Sequence, residues 1–259
     1  AGGTGQAAEE GHGTADVRRQ LHDELRQAAE AARQHAREAA RQAAQAAGTG
    51  CAPDGTRWVR VESVTGDLDV RVDPRLSEPR VRSDTAEAIL EATEYGYRVT
   101  FGKDGFGGFF GKFHTGDVDL ALPSGYGVDL SKATGDIDLH GVPYLRGMLT
   151  AGDLDAHGLK GIDFTSLAGD VFVSLGATRG QHRIQNKVGE LEVVLLPGSD
   201  VTVDGDVSMG DVEASREFTT SRRLVSERLS GRLGAGTARL ELKVTAGTIK
   251  VRTGEDRDG

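Results

Sequence analysis

Cysteine is nearly missing from this chain. One in 259 residues leaves no intramolecular disulfide framework and no Cys-rich zinc site. Proline is scarce at 6, and no Gly-X-Y period accompanies the 37 glycines, so the chain is not collagen. Aromatic residues are 5% of the sequence. No run approaches the ~18 consecutive apolar residues of a membrane-spanning helix. Basic residues are outnumbered, 31 Lys and Arg against 40 Asp and Glu. The net charge of −9 speaks against a nucleic-acid partner held through its phosphates. No Gly-x-Ser-x-Gly and no His-x-x-x-His occurs, and no Gly-x-Gly-x-x-Gly joins a strand to a helix. What the chain has in excess is glycine, which in an ordered protein means many tight turns.

Composition changes sharply near residue 48. Residues 1–15 are rich in Gly, Ala and Glu and read as a disordered tail. Residues 16–47 contain neither Gly nor Pro and are mostly Ala, Arg, Gln and Glu, all strong helix formers. They predict one long helix of about 48 Å, ended by Gly48 and Gly50. Its apolar stripe runs from Val17, Leu21 and Leu25 into alanines. A stripe so thin needs a packing partner, either the following domain or the same helix of another chain, and is too weak to hold a membrane alone. Residues 48–56 read as a linker, with Cys51 an ordinary free thiol, and residues 254–259 as a short tail. No basic segment followed by an apolar one marks a signal peptide in this sequence.

A short phrase recurs from residue 57 onward. Thr65-Gly66-Asp67-Leu68-Asp69-Val70 returns at Thr115–Leu120, Thr134–Leu139, Ala151–Ala156 and Ala168–Val173. Weaker copies stand at Val188–Val193, Met209–Ala214 and Ala246–Val251. From Gly116 to Gly210 the glycines are spaced 19, 17, 17, 20 and 21 apart, the period of a solenoid. Two and four residues after each glycine the chain is apolar, and one and three after it nearly always charged. That period of two is a half-buried strand with a fixed inner face. One such strand cannot bury its apolar side alone, but turns stacked about 4.8 Å apart can, and eight turns give a stack of about 40 Å. A second echo pairs Leu122-Pro123-Ser124-Gly125 with Leu196-Pro197-Gly198-Ser199.

These Gly-Asp-apolar-Asp-apolar turns, the two Leu-Pro phrases and the ending Leu233-Gly234-Ala235-Gly236 … Ala246-Gly247-Thr248-Ile249 resemble the bacterial putative-adhesin family (Domain of Unknown Function 4097). The likeness covers about residues 57–253. It implies a β-solenoid without known catalysis, found in some members at the cell surface or in envelope-stress loci, sometimes behind a helical N-terminal segment. The family brings no catalytic residues. The present chain departs from its simplest members in the long alanine-rich helix and in the insertion between Gly66 and Gly116.

The acidic positions are the leading candidates for a ligand or partner surface. Asp117, Asp136 and Asp153 hold one place in successive turns, and Asp138 and Asp155 the next outward place. Stacked carboxylates repel, and two readings accommodate them. They bind calcium or another cation, or the first column bonds turn amides while the second stays solvated. Calcium needs six to eight oxygens converging on one point, and outward columns do not converge, so the second reading is expected. His140 and His157 each lie five residues after their glycines and should stack on adjacent turns. Phe106, Phe109 and Phe110 belong to a glycine-rich loop expected to cover an open end of the solenoid, with membrane or partner contact as the rival reading. The arginines from Arg216 to Arg232 read as a solvated connecting segment.

The expected fold is therefore mainly β, a single solenoid domain over 57–253 behind an alanine-rich helix. The expected function is a non-catalytic, adhesin-like scaffold or binding module of the bacterial envelope, with no metal, no cofactor and no enzymatic activity. Its partner would be a protein or a second copy, met through the helix or the solenoid ends. A self-assembling structural protein is the alternative, and a carbohydrate-active enzyme the weaker one.

Overall fold

The computed structural model describes residues 50–85, 87–102 and 116–255. The tail expected over 1–15, the helix expected over 16–47 and the loop residues Phe106, Phe109 and Phe110 lie outside the described residues. Every regular element among the described residues is a β-strand, from Arg57–Val61 to Ala238–Thr253.

The repeat folds as the alternation requires. Each unit is a strand, a sharp corner at the repeat glycine, and a second strand. First strands stack in parallel into one face of the solenoid (face A) and second strands into the other (face B). The inward residues Leu68, Val70, Ile137, Leu139, Leu154, Val171, Val173, Leu191, Val193 and Ile249 are all at most 1% exposed. They meet Val59, Val128, Leu145, Ile162, Phe164 and Leu240 from face A in one continuous core. Each large side chain so buried contributes roughly 1.5–3 kcal/mol of transfer free energy.

Eight such rungs form the stack, and their order is not that of the sequence. Along face A it runs Gly96–Phe101, Arg57–Val61, Tyr126–Thr134, Tyr144–Ala151, Gly161–Ser166, then the first halves of Gln181–Leu195, Ala238–Thr253 and Val201–Ala214. Face B repeats the order with Val118–Leu122, Leu68–Val72, Ile137–His140, Leu154–Leu159, Val171–Leu175 and the second halves of the same three long strands. Thus the first rung of the chain is tucked inside the second, and the last is tucked inside the one before it. The chain leaps past an inserted rung twice. One leap follows Leu122 and the other Leu195, and the two Leu-Pro phrases mark these two places. Proline donates no ladder hydrogen bond. Gly125 (φ 87°) and Gly198 (φ 85°) complete the turns.

The glycine corners form a column. Gly135, Gly152, Gly169, Gly189 and Gly247 have φ between 120° and 143°. A Cβ at any of the five would stand 1.8–2.3 Å from the carbonyl oxygen of the glycine one rung below. Both the conformation and the close approach exclude other residues.

Antiparallel strands end the stack. Arg80–Ser83 pairs with Val118–Leu122, and Ala88–Thr93 with Gly96–Phe101, so the insertion after Gly66 supplies one full rung and a cap. At the far end Phe218–Arg222 and Glu227–Leu233 form a hairpin laid against Val201–Val207. The arginine-rich stretch is therefore a cap, not the connecting segment its charge suggested. Phe218 (7% exposed) and Leu229 (2%) anchor it. The backbones of Gly231 and Gly205 make room for those two side chains. The Glu227 carboxylate accepts the Val212 N–H at 2.6 Å, occupying an edge that would otherwise offer its amide to another chain. Residues 50–56 also pack on the solenoid. Cys51 is buried, and Gly50 accepts the Gln181 N–H at 3.3 Å.

Candidate functional site

On face B the structure brings the predicted acidic residues together. In stack order the first column is Asp117, Asp67, Asp136, Asp153, Asp170 and Glu190, and each of the five Asp carboxylates receives the backbone N–H of the next residue in the series. The distances are 3.4, 3.0, 2.9, 2.8 and 2.8 Å. The first column is thus structural. Its partners are amides of the neighbouring rung, and each carboxylate clips two rungs at the glycine corner.

In the second column Asp119, Asp69, Asp138 and Asp155 make no such clip among the described residues. Register places Asp119, Asp69, Asp138 and Asp155 on four successive rungs, followed by Phe172, Glu192, Lys250 and Glu213. Across the first four rungs the two columns hold eight carboxylates. The cations beside them are Arg71, bonded to Asp69 at 2.6 Å, and Arg82, opposite Asp119 at the edge. Two histidines join them. His140 and His157 stack as expected, with centroids 5.3 Å apart and planes 3° apart. His157 Nε2 lies 2.7 Å from Asp155 Oδ1, and its ring also tilts against Phe172. Burial, and then the negative charges of Asp155 and Asp69, push the Asp138 carboxyl above the usual carboxylate range. A shallow groove of about 340 Å³ runs between the columns from Asp136 and Asp138 to Glu190 and Glu192. Among the described residues no three His, Cys, Asp or Glu side chains converge as a metal site.

Face A treats the same problem differently. Its outward central column reads Arg98, Arg60, Asp129, Arg146, Asp163, Arg183, Glu241 and Asp204. Signs alternate over the six from Arg60 to Glu241, like charges adjoin at either end, and two pairs close in the middle. Arg146 meets Asp129 at 2.9 Å, and Arg183 meets Asp163 at 2.9 Å. Stacking charges in a parallel ladder therefore does not require repulsion, and the second column of face B keeps it.

Another set of residues gathers where no motif marked a site. The single tryptophan, Trp58, and Tyr95 and Tyr97 line a groove of about 740 Å³ on face A with Arg57, Arg60 and Arg98. They are far apart in sequence and meet only because the first rung is inserted beside Gly96–Phe101.

No family model matches the chain. No curated protein matches it. One solved structure, from Clostridium sporogenes and described as a "putative cell adhesion protein", is similar over 80% of this chain and 97% of its own, at 14% identity and a TM-score of 0.41.

Proposed function

We propose that this chain is a non-catalytic, adhesin-like binding scaffold of the bacterial envelope, whose rigid solenoid presents a negatively charged face to a cationic partner. One observation carries the reading. Face A alternates the sign of its stacked charges over six successive rungs, from Arg60 to Glu241, whereas four successive rungs of face B keep Asp119, Asp69, Asp138 and Asp155 in line. A retained repulsion costs stability unless something offsets it, and a partner bearing lysines or arginines would do so. The first column, committed to backbone amides, keeps the spacing of these charges fixed. The envelope setting follows the resemblance of the repeat motifs.

The test is fluorescence anisotropy with a labelled lysine-rich peptide. The combined variant Asp69→Asn, Asp119→Asn, Asp138→Asn, Asp155→Asn is expected to weaken binding at least tenfold, and salt to weaken it in the parent. Removing four carboxylates from face A, at Asp163, Asp204, Asp206 and Glu241, should leave binding nearly unchanged. Equal losses from the two faces would reduce the attraction to net charge and refute the reading.

A further inference from the structure

We propose that the groove on face A binds an acidic oligosaccharide, independently of the acidic face. The groove, about 740 Å³, has the size of a small-ligand site. Its floor is the outer surface of face A. The segment 50–56 and the turn around Tyr95 contribute to its lining.

Two kinds of group converge there. The first is aromatic. Trp58, Tyr95 and Tyr97 line the groove, and Tyr126 stands behind Tyr97 with ring centroids 6.1 Å apart. So the only tryptophan and three of the four tyrosines of the chain collect at one place. Tyr95 is 71% exposed among the described residues, an unusual position for so large a ring. The Arg146 guanidinium lies over the Trp58 ring, 4.1 Å from its centre, and covers that face of the indole, so the exposed flat ring of the groove is Tyr95. Flat surfaces of this kind suit the C–H faces of pyranose rings.

The second is cationic. Arg60 and Arg98 stand side by side on adjacent rungs, directly in register. They share one carboxylate, Glu62, at 4.0 and 3.4 Å, and Arg60 also donates to Ser131 Oγ at 3.0 Å. Arg57 lies over the Tyr126 ring at 4.6 Å. The carboxylates on the floor are paired, Asp129 with Arg146 of the same groove and Asp163 with Arg183. The exposed Asp54 and Glu94 also line the groove. Arg60 and Arg98, with one carboxylate between them, leave N–H donors for a planar anion. Sugar faces on the rings and a sugar carboxylate on the Arg60–Arg98 pair describe a uronic-acid chain.

The chain reports on this groove by itself, because Trp58 is its only tryptophan. Intrinsic fluorescence is titrated with tetragalacturonate, with neutral maltotetraose and with inorganic phosphate, and calorimetry repeats the first. Tetragalacturonate is expected to give a saturable change, with maltotetraose and phosphate at least tenfold weaker. Arg60→Ala with Arg98→Ala, and separately Tyr95→Ala, should each weaken it at least tenfold while circular dichroism and melting stay near the parent's. The fourfold Asn variant of face B should bind tetragalacturonate as the parent does. No saturable change, equal binding of maltotetraose, equal binding of phosphate, or indifference to the arginine and tyrosine variants would each overturn the proposal.

Discussion

Alanine at Gly152 is a one-carbon change with a large expected effect. Gly152 sits at φ +120°, and a Cβ there would lie 2.2 Å from the Gly135 carbonyl oxygen and 2.5 Å from its carbon. That oxygen belongs to the backbone of the next rung and cannot turn aside as a side chain would. Holding an L-residue in this conformation costs about 1–3 kcal/mol. Relieving the contact means opening the rungs by roughly 1 Å at the corner, since they are spaced at about 4.8 Å. Three bonds cross that gap: Gly135 N–H to Ala151 O at 2.9 Å, Ile137 N–H to Asp153 O at 2.8 Å, and Asp153 N–H to Asp136 Oδ1 at 2.9 Å. Each contributes about 1 kcal/mol net, so the total loss is about 4–6 kcal/mol. Gly158 is the internal control. It also has positive φ, +73°, but a Cβ there would meet nothing within 4 Å. Gly158→Ala should cost only the left-handed conformation, about 1–2 kcal/mol. Urea denaturation followed by circular dichroism, with equal m-values, separates the two. At about 2–4 °C per kcal/mol, Gly152→Ala should melt roughly 8–24 °C below the parent and Gly158→Ala roughly 2–8 °C below. Equal losses would refute the claim that close stacking, rather than backbone conformation alone, selects glycine in this column.

Further predictions concern charge, burial and the N-terminal segment. The folded state raises the Asp138 pKa, so it favours the protonated carboxyl; that contribution is complete below the unfolded-state pKa and is lost as pH rises through the folded-state value. Asp138→Asn is therefore expected to stabilise near pH 7 and to make little difference near pH 3, as thermal melts would show. Ile137→Asp places a carboxylate on the inner side of the same strand and should cost several kcal/mol by chemical denaturation. Burial pushes the Cys51 thiol up to about 11. It should therefore resist thiol reagents near pH 8 in the folded chain and react fast in urea. Asn186 Nδ2 donates to Gly169 O at 2.9 Å and to Glu190 O at 3.2 Å, so Asn186→Ala should cost about 2–3 kcal/mol by leaving buried carbonyls unpaired. Light scattering of the intact chain and of residues 48–259 tests helix pairing between chains: the first should associate and the second stay monomeric.

Local structure was readable from the chain because it is governed by local rules. The alternation around Ile137 and Leu139 placed both side chains inside, and the five-residue offset placed His140 over His157. The first acidic column was read as bonding to turn amides, but an offset within one repeat cannot say that the amide of Asp153 belongs to the clip of Asp136 one rung away. Rung order was not legible. A period near 20 fixes the length of a turn and says nothing of its neighbours. Each tucked rung is joined to its place by long-range pairing alone, as Leu68 is to Ile137. The groove was hidden for the same reason, since Trp58 and Tyr97 carry no shared motif. The Arg216–Arg232 cap was masked by its charge, with Phe218 and Leu229 the two residues that could have revealed it.

Both faces depend on the order of the rungs, and cross-linking reads that order directly. In a Cys51→Ala background, two double-cysteine variants are compared under mild oxidation. Asp69 is in register with Asp138 on one side and with Asp119 on the other. Cysteines at 69 and 138 would thus be one rung apart, about 4.8 Å, within disulfide reach, whereas cysteines at 119 and 138 would be two rungs apart, about 9.6 Å, and beyond it. The 69–138 pair is expected to close and the 119–138 pair to stay reduced in the folded monomer. A stack in sequence order would set 119 beside 138 and reverse both results, and that reversal would contradict the account.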